Sequence, residues 1–272
     1  MSQDQGKTSP VPANDPDLEE QGKSSQEEKT CNLKVECVAE LMGTMVFVFL
    51  GTSVVAQKVM TNGSEHTIEI SVGFGIALAI GILIAHRHSG GHLNPAVTFA
   101  LWTIGSVPNY KMLPYMVSQF LGAFLGAVLT FMFYWDLFQA DDGKAFNNSG
   151  CFGTIPAPYM SWFGAFVDEA IGAGILMIAI IAVCDSKPVT VWHAAGYIGA
   201  TLTVIGMALG ANTGFAINPA RDFGPRVFTS MAGWGGKVYS ANQHYFLAPL
   251  IAPFVGATIA AQLMKFTRAI GC

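Results

Sequence analysis

The tripeptide Asn-Pro-Ala occurs twice, as Asn94-Pro95-Ala96 and as Asn218-Pro219-Ala220, and Arg221 directly follows the second copy. Asn at an N-cap with Pro at the first helical position makes a helix start. Such a start presents unpaired backbone N–H groups and about half a positive charge. Two of them aimed at one point disfavour cations there, hydrated protons included. Each Asn can cap its own helix through its side-chain carbonyl and keep its NH2 group as a donor to an oxygen in a lumen. An oxygen that accepts from both amides turns its own hydrogens away from the centre. That breaks the continuous orientation a proton relay needs. Arg221 adds five fixed donors and a permanent charge. At membrane depth an arginine is a candidate functional residue, and clamping loop carbonyls is a compatible second role. The plainer reading of Asn-Pro is two capped helices and nothing more. The repetition of the motif in a matched context argues for the lumenal chemistry.

Glycines precede both copies: Gly90 and Gly91 before the first, Gly210 and Gly214 before the second. Non-helical backbone at membrane depth is tolerated where it lines a wet cavity. The carbonyls of such loops would form a ladder of acceptors opposite the Asn and Arg donors. A permeant carrying both donors and acceptors could hop along it.

These groups need a membrane to hold them. Of the 272 residues, 51% are hydrophobic and 12% charged, about half the charged fraction of a soluble domain. The net charge of −4 leaves no footprint for nucleic acid. The five cysteines (Cys31, Cys37, Cys151, Cys184, Cys272) show no paired spacing, so no metal site and no cofactor are expected. Residues 1–33 are polar and charged and read as a disordered tail without the apolar core of a signal peptide. Six runs long enough to span a bilayer follow, near 35–57, 67–87, 111–135, 161–183, 193–211 and 246–268. The stretches near 95–105 and 219–229, behind the two Asn-Pro-Ala copies, cover only half a bilayer each and read as re-entrant half-helices. The expectation is therefore an all-α membrane protein of six transmembrane helices and two half-helices.

The order span, span, half-helix, span occurs twice, over about 34–135 and 160–268. Three spans per repeat make the halves insert with opposite orientation, so the half-helices enter from opposite faces and meet near the midplane. Two further echoes fit a duplication. Glu40 in Ala-Glu-Leu-Met-Gly matches Glu169 in Asp-Glu-Ala-Ile-Gly, and Phe120-Leu121-Gly122-Ala123 matches Phe254-Val255-Gly256-Ala257. With the N-terminus inside, nine cations lie on the inner side against four outside, as the positive-inside rule favours. Residues 269–272 then form a short inner C-terminus. Asn62-Gly63-Ser64 and Asn147-Asn148-Ser149 fit the N-glycosylation pattern and lie outside.

Carried by the doubled Asn-Pro-Ala, residues from about 33 to 268 resemble the major intrinsic protein family, the aquaporins. The run Asn218-Pro219-Ala220-Arg221-Asp222-Phe223-Gly224-Pro225-Arg226 is similar to the aquaglyceroporin branch, in which Asp follows the Arg. Tyr134, Asp222, Arg226, Pro249 and Leu250 match that branch's markers. The resemblance implies an outer constriction at Phe74, Gly206, Phe215 and Arg221, with Gly206 leaving room where water-selective members carry His. It implies a carbonyl ladder at Gly90, Gly91, His92, Gly214, Phe215 and Ala216, and structural support of the loops by Glu40 and Glu169. It also implies glycerol and water as permeants, with urea a further expected solute, and a homotetramer in the lipid bilayer. Phe74 stands where the bacterial glycerol facilitator has Trp, and Ile155 where an aromatic is frequent. His86-Arg87-His88 is an unusually basic inner end to the second span; contact of Arg87 with anionic headgroups is one reading, a vestibule or gating role the other. His92 reads as a loop support, with a pH gate formed by His92 and Glu40 as the sharper expectation.

The leading reading is a passive channel for glycerol and water, probed by flux that neither saturates at low concentration nor follows a proton gradient. No nucleophile–base pair or phosphate loop suggests an enzyme. An ion-coupled transporter of small polyols shares inverted repeats and broken helices, but Glu40 and Glu169 are the only candidates for its coupling site. A closed-pore adhesive or scaffolding protein is the second rival, and would pass no solute at all.

Overall fold

The computed structural model describes residues 32–62, 67–140, 146–186 and 189–270, and the compact unit is Leu33–Cys272. The helices are α1 (Leu33–Asn62), α2 (Thr67–Ser89), α3 (Pro95–Thr103), α4 (Asn109–Phe133), α5 (Trp135–Ala140), α6 (Trp162–Asp185), α7 (Val191–Thr213), α8 (Pro219–Thr229), α9 (Lys237–His244) and α10 (Leu247–Ile270). A 3-10 turn covers Phe146–Cys151 and a π turn covers Ser230–Trp234. Among the described residues six helices, α1, α2, α4, α6, α7 and α10, are long and apolar enough to cross a bilayer. Among the described residues there are no strands. The α1 helix runs five residues beyond the span expected from hydropathy, and α3 stops two residues short. The connecting pieces α5, the 3-10 turn, the π turn and α9 carry no apolar run of their own that would have marked them.

Packing follows the duplication. In the first half α1 packs on α2 and α4; in the second α6 packs on α7 and α10. Each half-helix leans on the third span of the opposite half, α3 on α10 and α8 on α4. The halves therefore interlock, and α2 against α7 closes the centre. Small residues make the close approaches possible, as helix packing in lipid requires. A Cβ on Gly122 would lie 2.4 Å from the Leu41 carbonyl oxygen, and one on its echo Gly256 would lie 1.8 Å from that of Ala170. At the α2–α7 crossing, Gly75 and Gly199 face each other, each Cβ position 2.5 Å from the other's carbonyl oxygen.

The outward faces of the spans are apolar, with Ile76, Leu113, Ile171, Val204, Val255 and Leu263 all exposed. Polar residues turn inward: Glu36, Glu40, Gln119, Glu169, Asp222 and Arg226 are buried. A hydrocarbon surround favours that inversion. The tail expected over residues 1–31, and Gly271 and Cys272 of the expected C-terminus, lie outside the described residues, as do the side chains of Asn62 and Asn147.

Candidate functional site

Asn94 and Asn218 have extended backbones, φ −151° and −146°, and both cap their helices. The Asn94 Oδ1 accepts from the Ala96 N–H at 2.9 Å; the Asn218 Oδ1 accepts from Ala220 at 3.0 Å and from Arg221 at 3.2 Å. The amide groups then cross over. Asn94 Nδ2 donates to the Ile217 carbonyl at 3.1 Å, and Asn218 Nδ2 donates to the Leu93 carbonyl at 2.8 Å. Sequence reasoning pointed both NH2 groups into a lumen as donors. The structure ties one N–H of each to the opposite loop, leaving one per amide for a permeant. The exchange joins the two helix starts directly, so the positive ends face each other.

The loops that enter these helices are held in an unfavourable form. Leu93 and Ile217, the residues before the two Asn caps, have φ of +53° and +39°, and Phe215 has +43°. Branched and aromatic side chains rarely occupy that region, at a cost on the order of 1–3 kcal/mol each. Two buried carboxylates offset it. Glu40 accepts from the N–H groups of His92 (2.9 Å) and Leu93 (2.8 Å), from Ser89 Oγ (2.6 Å) and from Gln119 Nε2 (2.8 Å). Glu169 accepts from the N–H groups of Ala216 (3.1 Å) and Ile217 (2.5 Å). Both carboxylates thus hold the two residues before an Asn cap.

On one side of this junction the structure gathers Phe74, Gly206, Phe215 and Arg221. The Phe74 and Phe215 rings stand nearly perpendicular, 81°, with centroids 5.8 Å apart. The Arg221 guanidinium lies 4.4 Å from the Phe74 centroid, within cation–π range. Its Nη1 donates to the Phe152 carbonyl at 2.8 Å. All three side chains are buried. Gly206 does leave room, but Phe215 takes it. A Cβ at 206 would lie 2.8 Å from Phe215 Cζ and 2.6 Å from Ser71 Oγ. The missing side chain therefore makes space for the Phe215 ring.

On the other side a cavity of about 380 Å³ runs from Asn94 and Asn218 toward the ends of α2, α6 and α10. Its walls are chiefly apolar, with Phe47, Ile82, Leu176 and Leu202 among them. Gly90, Gly91, His92 and Ala216 of the expected ladder border it. His86 reaches it too, while Arg87 and His88 are exposed. Asp185 and Arg268 line its far end and pair with each other.

The His92 ring bonds Thr98 Oγ1 through Nδ1 at 3.1 Å and packs edge-on against Tyr115. Glu40 meets the backbone N–H of His92 at 2.9 Å, so this hydrogen bond between the two expected gate residues does not involve the ring. Asp222 joins a buried brace: it accepts from the N–H and Oγ1 of Thr154, both at 2.9 Å, and pairs with Arg226. Arg226 donates further to the Thr154 and Val238 carbonyls. Tyr134 caps α4, its hydroxyl donating to Gln57, and Pro249 is buried in the first turn of α10 with Leu250 half-buried behind it.

Sequence reasoning missed Phe152, Thr154, Ser71, Gln119 and Thr98. One signal was available: a buried arginine needs acceptors, and the loop joining the two repeats had to supply them.

A sequence profile described as "Major intrinsic protein" matches residues 27–264. Aquaglyceroporin-2 of Rhizophagus irregularis is 42% identical over 234 residues, covering 83% of this chain and 74% of that one. Human Aquaporin-9 is 38% identical over 255 residues, 90% of this chain and 86% of the relative. The glycerol uptake facilitator protein of Escherichia coli K12 is 38% identical over 250 residues, with coverage of 86% and 88%. The X-ray structure of the aquaglyceroporin from Plasmodium falciparum superposes with a TM-score of 0.81 at 32% identity, over 86% of this chain and 96% of its own.

Proposed function

The chain belongs to the major intrinsic protein family, and we propose that Phe74, Gly206, Phe215 and Arg221 form the filter through which it passes its solutes. It is a passive channel for glycerol and water, the function that its aquaglyceroporin and glycerol-facilitator relatives support. The observation that carries the filter reading is the corner of two perpendicular rings with the guanidinium over one of them. A glycerol carbon backbone lies against Phe74 and Phe215 while its hydroxyls accept from Arg221. Inward of the filter, carbonyls of residues 214–216 and 90–92 accept from the solute's hydroxyls. At the midplane the remaining N–H of Asn94 and of Asn218 donate to one oxygen. The facing helix starts repel hydronium at the same point.

Urea is a further solute of the same filter. The functional particle is a homotetramer in the plasma membrane, with a pore in each subunit, both termini cytoplasmic and the Asn62 and Asn147 sequons outside. Small residues on the helix faces and the inward excess of cations support that arrangement.

Stopped-flow light scattering on vesicles carrying the purified protein tests the reading, with water, glycerol and urea compared. Parent protein should conduct all three. Arg221→Ala should relax the size limit, raising the permeability of a four-carbon polyol relative to glycerol. An unchanged ratio in a folded Arg221→Ala channel removes Arg221 from the filter.

A further inference from the structure

Arg221 is only as well placed as the carbonyl that holds it. That carbonyl belongs to Phe152, in the loop between the two repeats. Phe152 is wholly buried, and its N–H donates to the Ser149 carbonyl at 3.0 Å. Its ring lies nearly parallel to Phe138 of α5, 25° apart with centroids 5.5 Å apart. It also meets Phe228 at 5.6 Å and Trp234 at 5.8 Å. Phe131 of α4 closes the group, touching Phe138, Phe228 and Trp234. Five rings from five elements therefore form one cluster, with Phe152 in contact with three of the others.

Phe228 and Arg221 sit on the same half-helix α8, two turns apart and so on one face. Phe152 touches both, Arg221 with its carbonyl and Phe228 with its ring. A second tie lies two residues on, where Asp222 takes the Thr154 N–H and Arg226 donates to the Thr154 carbonyl. The loop thus meets the half-helix at several points along its length, which leaves little freedom to slide or rotate. Aromatic contacts of this kind hold their partners beyond what area burial alone provides.

We propose that Phe152 is a positioning residue of the filter, and that Phe131, Phe138, Phe228 and Trp234 form an aromatic clamp that sets the Arg221 guanidinium against Phe74. The clamp controls which solutes pass without touching them. The proposal rests on the reading of Arg221 as the filter's donor. Loosening the rings lets the Phe152 carbonyl shift. The guanidinium then leaves the Phe74 face, and the aperture loses its sharp size limit.

Phe138 is the ring to change, because it lies on a short outer helix and stacks on Phe152. Phe138→Leu keeps the site apolar and guards against misfolding; Phe138→Ala removes the stack outright; Phe138→Tyr keeps it. The comparison is made in reconstituted vesicles at equal protein content, with water, glycerol and a four-carbon polyol as solutes and Arg221→Ala alongside. Expected is a rise of about threefold in the polyol-to-glycerol ratio for Phe138→Ala, a smaller rise for Phe138→Leu and the parent ratio for Phe138→Tyr, the scale set by weakening one hydrogen bond. Trp234→Leu should act in the same direction. A folded Phe138→Ala channel with the parent ratio overturns the clamp, as does a proportionate fall in all three solutes. If Arg221→Ala itself leaves the ratio unchanged, the filter reading fails instead, and the two failures are told apart.

Discussion

Gly206 shows how one absent side chain decides the chemistry around it. Its Cβ position is occupied by Phe215 and by Ser71 Oγ, so any larger residue there must displace the Phe215 ring from its perpendicular contact with Phe74. Gly206→Ala should therefore lower glycerol permeability by about tenfold while water falls less, because a smaller solute needs less of the corner. Gly206→His with Phe215 shortened to a smaller residue should likewise lose glycerol before water; equal losses would argue against the filter assignment. His92 is testable on its own. Removing its ring in His92→Ala deletes the Thr98 bond and the Tyr115 contact but leaves Glu40 on the backbone N–H. If the imidazole gates the inner loop, the pH profile of glycerol flux should flatten between about pH 5 and 8. A profile identical to the parent's takes the ring out of any gate.

Elements are where strain and support balance. The entries to α3 and α8 carry left-handed Leu93 and Ile217, and each is held by one carboxylate from the first span of its own repeat. Glu169→Gln puts an NH2 group where two N–H donors point, so at least one bond is lost and one donor is left buried. The cost should be on the order of 2 kcal/mol, visible as a lower Tm in detergent together with reduced flux. A variant with the parent's Tm would show that the loop holds its turn unaided. Gly256→Ala tests the helix contact in the same way. Its Cβ meets the Ala170 carbonyl at 1.8 Å, and overpacking of about 1–3 kcal/mol should reduce the yield of folded protein far more than the same change at the exposed Gly196, where nothing lies within 4 Å of the Cβ position. Equal yields would mean that α6 and α10 part without penalty.

At the scale of the whole molecule, the interlock of the two halves brings the Asn caps together, since α3 rests on α10 and α8 on α4. A fixed junction of this kind suits a pore that conducts without alternating access. Glycerol flux should rise in proportion to its gradient and ignore a proton gradient imposed across the vesicle; coupling to protons would point to the transporter reading. Much of this was legible in the chain. Hydropathy marked six spans, because lipid demands long apolar runs. The two Asn-Pro-Ala copies marked both half-helix starts, because Asn and Pro are locally suited to that position. The repeated Glu40 and Glu169 pointed to paired roles for the same reason: local pattern records local need. The sequence by itself determined those elements and the types of donor and acceptor available. Only the tertiary structure decided that each Asn amide reaches across to the opposite loop, that Phe215 fills the space at Gly206, and that Phe152 holds Arg221. Those contacts join residues from 9 to 125 positions apart, and no local propensity encodes the distance at which two distant side chains come to rest.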